Sequence, residues 1–322
     1  VKVGAAAALG ILIFSFLLNA IVDYWGLILN SHNRFALSAA APLANVAVSS
    51  MIIVLAPEAD LKTLVWSLMA GLMAQLFVVL IVALAMGIGL ARIQLSGLLA
   101  KNPRHVFSLF LPALLGVAVT NANFAIDQSM AAGIQTGSLS ILNYASRFHN
   151  LFVQVGIMGV SLVVLPAFVS LVAKQQYNQL FALLNRILVV ALFLSVVACL
   201  GIYFLGGIFL ELILGFTAVD SAARSEIYWV WLWYALGLFA TASSVFYVKL
   251  FQAWKMPGFI TALAVVSLLL NVLLNYLFID WFGVAGIAMS TSLVYVIALC
   301  VFVARAKMLK AVVITSSVVV SN

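Results

Sequence analysis

Two ionisable residues, Asp127 and Arg147, sit deep inside long apolar stretches of this chain. A charge at the centre of a bilayer costs about 2.5–3.5 kcal/mol on insertion scales, so such groups face a partner or a wetted cavity and mark functional paths. A turn from Gly133 to Gly137 separates the two residues. Counted from its centre at helical rise, their depths differ by about 6 Å, which an arginine side chain spans. Two readings stay open. The groups can form a buried ion pair, a doubtful source of stability. Alternatively, Arg147 can face a cavity and grip a pyrophosphate with its planar fork of N–H donors. Asn121, Asn123 and Asn143 add polarity to the same two stretches, consistent with a wetted cavity.

A second constellation consists of oxygen donors. Asn271 and Asn275 are four residues apart and share one helix face. Thr291 lies about as deep in the next apolar stretch, both counted from the loop around Asp280, and Asp127 has a similar depth. Carboxylate, amide and hydroxyl oxygens suit a hard cation such as Na+. The competing reading is interhelical hydrogen bonding, worth about 0.6 kcal/mol on average in membranes. His149 is two residues from Arg147 and so on another helix face, which favours a packing role over a proton relay. Cys199 and Cys300 lie in apolar runs and read as small buried hydrophobes, neither disulfide nor metal ligands. Trp229, Trp231 and Trp233, with Tyr228 and Tyr234, read as an interfacial aromatic belt. Enzyme motifs are absent: there is no HExxH, GxSxG or P-loop. The acidic loop pairs, Glu58 with Asp60 and Asp220 with Glu226, lie on the side away from nucleotide-linked substrates, which argues against a polyprenyl glycosyltransferase.

The elements that must position these groups are membrane helices. Hydrophobic residues make up 66% of the 322 and charged residues 7%, against roughly 25% charged in soluble domains; mean hydropathy is +1.27. The chain therefore reads as an all-α polytopic membrane protein. About nine spans of roughly 20 residues are expected, near 4–29, 36–56, 64–89, 106–132, 138–170, 186–212, 227–250, 257–278 and 283–304. The fifth is longer than a bilayer requires, predicting tilt or a cytoplasmic extension after Pro166. Residues Lys174 to Arg186 could lie on the membrane surface on Leu180, Phe181, Leu183 and Leu184. Residues 312–320 read as the start of a further helix.

Most of the 15 Lys and Arg residues fall on one side of these spans, including Arg34, Arg92, Lys101, Arg104, Lys174, Arg186, Lys249, Lys255 and Arg305. That side is cytoplasmic by the positive-inside rule. The net charge of +7 thus belongs to basic loops and does not point to nucleic acid.

A weak internal repeat sets the organisation. LILNSHNRF at the end of span 1 and KLFQAWKMPGF at the end of span 7 are each followed by an Asn-bearing apolar helix, with Asn45 in one and Asn271 and Asn275 in the other. Parallel repeats of this kind build two-lobed transporters with the site between lobes. Spans 4–6 then lack a counterpart, which predicts about three helices before Val1 and a twelve-helix core. On this reading 1–100 is an incomplete N-terminal lobe, 101–308 a C-terminal lobe of six spans, and 309–322 a tail or the start of a further helix.

The stretches LPALLGVAVTNANFAIDQSMAAGIQTGSLSILNYASRF, VSLVVLPAFVSLVA, NSHNRFALSAAAPLANV and YALGLFATASSVFYVKLFQAWKMPG resemble the MurJ/MviN family of lipid II flippases, from about Ile11 to Met308. The resemblance implies a two-lobed (6+6) flippase that moves undecaprenyl-pyrophosphate-linked saccharide, lipid II or a polysaccharide repeat unit, across the bacterial inner membrane by alternating access. It implies a multi-pass monomer surrounded by membrane lipids, with no enzymatic activity. It also implies substrate contacts at Arg147, Asn123, Asn143 and Asn150, and a coupling site for Na+ at Asp127, Asn271, Asn275, the Ile287 carbonyl and Thr291, with H+ as the alternative coupling ion. Ser146 stands where the family often has Asp, and Asn150 and Asn275 stand where acids occur. Two alternatives remain: a cation-coupled drug or metabolite exporter of the same superfamily, and a non-transporting scaffold in a polysaccharide assembly complex.

Overall fold

A computed structural model describes residues 14, 15, 17–26, 28, 29, 35–56, 60–87, 103–154, 159–217 and 219–320. These residues form helices joined by short turns, with no strand among them. The chain divides into two compact units, Val1–Leu99 and Ala100–Asn322.

In the first unit, the described residues between 14 and 29 are helical. They precede α1 (Phe35–Leu55) and α2 (Leu61–Ala85). The Asp60 carboxylate caps α2 by accepting from the Thr63 backbone N–H at 2.8 Å and its hydroxyl at 2.7 Å; these bonds hold its pKa below the usual carboxylate range. A small apolar core gathers Trp25, Leu29, Ala41, Val79 and Ala83. Neutral polar bonds join α1 to α2: Asn45 donates to Gln75 Oε1 at 3.1 Å, and Ser49 Oγ donates to the Ser67 carbonyl at 3.0 Å. Gly71 lets the two backbones meet there, since a Cβ would stand 2.8 Å from the Asn45 carbonyl oxygen.

The second unit contains α3 (Pro103–Ala132), α4 (Ser138–Val153), α5 (Gly159–Ala173), α6 (Tyr177–Leu214), α7 (Ser221–Leu236), α8 (Leu238–Ala253), α9 (Pro257–Phe282) and α10 (Val284–Val320). Two apolar clusters stabilise it through close side-chain packing between helices. One centres on Trp231, Ile227, Leu210 and Ile287, the other on Phe168, Leu180, Phe251 and Phe302.

Among the described residues, four helices are long and apolar enough to span a membrane: Lys62–Ala85, Tyr177–Leu214, Pro257–Phe282 and Val284–Ala311. The pair α7 and α8, bent by 45°, is long and apolar enough to do so when the two are taken together. The 30-residue α3 is also long enough to cross, but Asn121, Asn123, Asp127 and Gln128 dilute its apolar character.

The structure departs from sequence expectation in several places. Within the fifth stretch the described residues form α4 and α5, with Pro166 inside α5. Residues 180–184 do not lie on the membrane surface: Leu180, Phe181 and Leu184 are buried in the unit's core as the first turns of α6. Their spacing serves a helix face against α5 and α8 just as well as one against lipid. Trp231 and Tyr234 are core residues at 1% and 7% exposure, whereas Trp229 is 52% exposed, so the aromatic cluster is only partly a belt. Residues 312–320 continue α10 without a break.

A further departure is the break at Gly237. The Gly237 N–H bonds the Tyr234 carbonyl at 3.0 Å, which removes the usual i→i−4 donor from the Trp233 carbonyl. Ser292 on α10 supplies the replacement, its hydroxyl donating to Trp233 O at 2.8 Å. A Cβ at Gly237 would stand 2.5 Å from Ser292 Oγ and 2.7 Å from its Cβ. Gly237→Ala is therefore expected to destabilise the full-length protein by about 1–3 kcal/mol through overpacking, measured as a lower Tm in detergent. A Gly237→Ala Tm equal to that of the unsubstituted protein would show that the contact is not tight.

Candidate functional site

Asp127 lies on α3, Asn271 and Asn275 on α9, and Thr291 and the Ile287 carbonyl on α10. All five are brought together. Asn275 Nδ2 donates to Asp127 Oδ1 at 2.7 Å and to Asn271 Oδ1 at 3.0 Å. Asn271 Nδ2 faces Thr291 Oγ1 at 3.4 Å, and the Thr291 hydroxyl donates to the Ile287 carbonyl at 3.0 Å. Asp127, Asn271 and Asn275 are 6%, 1% and 0% exposed. The four-residue spacing of the asparagines stacks both carboxamides on one face of α9, which is packed against α3 and α10.

The cluster is rich in oxygen and poor in donors. Asn275 Oδ1 is buried without a hydrogen-bond partner, and an unsatisfied buried acceptor costs about 1–3 kcal/mol. The Asn275 amide NH2 bridges two oxygens, the place a cation would take. Turning this carboxamide over would present Oδ1 to Asp127 and Asn271, and a bound cation or a proton on Asp127 would hold these oxygens together. One carboxylate among neutral oxygens suits a monovalent hard cation better than a divalent one. Among the described residues no group of three or more His, Cys, Asp or Glu side chains forms, so the donors present do not resemble a transition-metal site.

The Asp127–Arg147 pair weighed from sequence is not formed. Asp127 bonds Asn275 instead, Arg147 is exposed on α4, and the one ion pair among the described residues is Arg224–Glu211 at 3.1 Å. α4 sorts its residues by face. Phe148 and His149 are buried, with the His149 ring 5.3 Å from that of Tyr234. Asn143, Arg147, Asn150 and Gln154 recur at helical spacing on the opposite, open side. Asn143 Oδ1 accepts from Gln128 Nε2 at 2.9 Å, which ties this stripe to α3 next to Asp127. Asn123 is half-buried on α3, apart from the stripe, with a partnerless Oδ1.

Sequence reasoning missed Gln128, Gln154 and the inward position of Tyr234. Gln154 was findable, lying seven residues beyond Arg147 on the same face. Gln128 adjoins Asp127, but its partner depends on how α3 packs against α4.

A family model for "Lipid II flippase MurJ" matches residues 2–321. The chain is similar to the lipid II flippase MurJ of Burkholderia cenocepacia, 26% identical over 282 residues, covering 82% of this chain and 52% of that one. It is also similar to the probable lipid II flippase MurJ of Haemophilus influenzae, 29% identical over 159 residues, 45% of this chain and 29% of that one. Among solved structures, an inward closed lipid II flippase MurJ superposes with a TM-score of 0.77 at 22% identity, covering 95% of this chain and 64% of that one. An inward-facing multidrug resistance MATE family transporter superposes with a TM-score of 0.77 at 12% identity, covering 95% and 71%. These likenesses show a shared fold. The chain spans about half the length of the curated relative it matches most extensively.

Proposed function

The chain belongs to the lipid II flippase MurJ family, and from that premise we propose that it forms part of a flippase for undecaprenyl-pyrophosphate-linked saccharides in the bacterial inner membrane. The substrate is lipid II or a related polysaccharide repeat unit, carried by alternating access of two lobes. The observation that carries this reading is the polar stripe on α4, where Arg147 stands among Asn143, Asn150 and Gln154 on an open face of a membrane protein. A guanidinium there grips a pyrophosphate bidentately, and the carboxamides hydrogen-bond its remaining oxygens and the first sugar. Asn123, on α3, lines a separate cavity with Asn271 and Thr291 and is not assigned to the substrate.

Coupling is assigned to the cluster at Asp127, Asn271, Asn275, Ile287 and Thr291, with Na+ as the ion. A bound Na+ would supply the positive charge that Asp127 lacks. This chain's part is to hold the oxygens: Asn275 turns its carboxamide, Asn271 and Thr291 keep their contact, and the Ile287 carbonyl gives up the Thr291 hydroxyl. Protonation of Asp127 is the competing form of coupling.

The MATE likeness favours one second reading, a cation-coupled drug exporter. An open arginine repels cationic drugs, so the flippase reading is preferred. A scaffold without transport is separated from both by one assay. The full-length protein in liposomes should move undecaprenyl-pyrophosphate disaccharide-pentapeptide between leaflets, faster with an inward Na+ gradient than with K+. Efflux of a cationic dye in place of lipid movement would establish the exporter, and neither activity would leave the scaffold.

A further inference from the structure

The second unit contains a half-open cavity of about 530 Å³ walled by α3, α8, α9 and α10. Gln252 and Pro257 mark one end, beside Lys255 on the basic face, and Asn271 and Thr291 mark the other. Pro257 and Asn271 are about 21 Å apart along α9 at helical rise. The cavity therefore runs from the basic face to beyond the middle of a hydrocarbon layer about 30 Å thick. Its inner end closes on the Asn271–Thr291 contact, which at 3.4 Å is the longest hydrogen bond of the oxygen cluster. Asp127 and Asn275 are not among the residues that line it.

Much of the wall is apolar, but it is not uniformly so. Thr120, Asn121, Gln252, Thr261, Ser267 and Asn271 place polar side chains along its length. A water needs only about 10–15 Å³ of space and a few polar partners. The cavity has room for a file of waters and polar atoms along its length to order them.

We propose that this cavity is a hydrated half-channel through which monovalent cations leave the Asp127 cluster for the cytoplasm, separate from the route of the lipid-linked substrate. The inference rests on the cation reading given above. The Asn271–Thr291 contact is its inner gate, because an ion leaving Asp127 for the cavity must part those two side chains.

The test uses full-length protein, freed of native cysteines, in inside-out vesicles. Ser267 lines the cavity, whereas the neighbouring Val266 is 58% exposed on the outer surface of the unit. A membrane-impermeant sulfonate thiol reagent should label Ser267→Cys at least tenfold faster than Val266→Cys. Ala264→Trp, which fills the cavity, should slow release of radioactive sodium at least tenfold while leaving equilibrium sodium affinity unchanged. Equal, slow labelling at both positions would mean a dry or acyl-filled cavity and overturn the proposal. Fast labelling with unchanged sodium release from Ala264→Trp would overturn the passage while leaving the cavity wet. If the unsubstituted protein binds no sodium, the cation reading falls and the passage with it; if it binds sodium but fails either other arm, the passage alone falls.

Discussion

Arg147→Ala should lower lipid-linked saccharide transport by about 100-fold or more while leaving the fold intact. Two charge-assisted hydrogen bonds to a pyrophosphate contribute about 1.5–3 kcal/mol each, and every 1.4 kcal/mol is a factor of about ten. Arg147 is exposed on α4 and carries no ion pair among the described residues, so its removal should change stability by no more than about 0.5 kcal/mol. Arg147→Lys keeps the charge and loses the planar fork, and should fall between the two. The measurement is leaflet-to-leaflet movement of the labelled lipid in proteoliposomes, with Tm as the folding control. Transport by Arg147→Ala at the unsubstituted rate would remove the guanidinium from the mechanism.

The second large effect is expected at Asp127. Asp127→Ala strips the acceptor from Asn275 Nδ2 in a pocket where Asn275 is fully buried, costing about 1–3 kcal/mol and all sodium binding. Asp127→Asn keeps the size and a hydrogen-bonding oxygen, so it should fold nearly as well yet lose sodium. The converse variant, Asn275→Asp, places a second carboxylate beside the first. It should bind sodium about tenfold more tightly and be less stable without it, since neighbouring carboxylates repel. Ligand binding raises stability by RT ln(1 + [L]/Kd), so the readout is the rise in Tm with NaCl over KCl. That rise should be present in the unsubstituted protein, absent in Asp127→Asn, and reached at lower NaCl in Asn275→Asp. No Na+-specific rise in the unsubstituted protein would assign coupling to protonation of Asp127 or to no ion at all.

The oxygen cluster was legible before any coordinates because its logic is one-dimensional. Asn271 and Asn275 are four apart, the depth of Thr291 follows from counting to the loop around Asp280, and that of Asp127 from the separate turn at Gly133–Gly137; the Ile287 carbonyl came only from the family resemblance. Partner identity was not legible in the same way. Depth alone put Arg147 within reach of Asp127, but rotation about the α4 axis decides where a side chain points, and that is set by Phe148 and His149 packing against Trp231 and Tyr234. Helix ends were misplaced for a related reason. A run of apolar residues in a membrane chain does not reveal whether lipid or a neighbouring helix covers it, so the start of α6 was read as a surface segment and proved to be core. The Gly237 break was invisible because its cause is Ser292, 55 residues further along the chain.

That break has a mechanical consequence. The carbonyl of Trp233 is held by a hydroxyl from another helix instead of an amide of its own, and the hydroxyl belongs to the residue directly after Thr291. The two rods are thus pinned at one joint, one residue from an oxygen of the cluster. Any shift of α10 at that level must either drag the elbow of its neighbour along or snap the pin, so the elbow has no independent freedom while the pin holds.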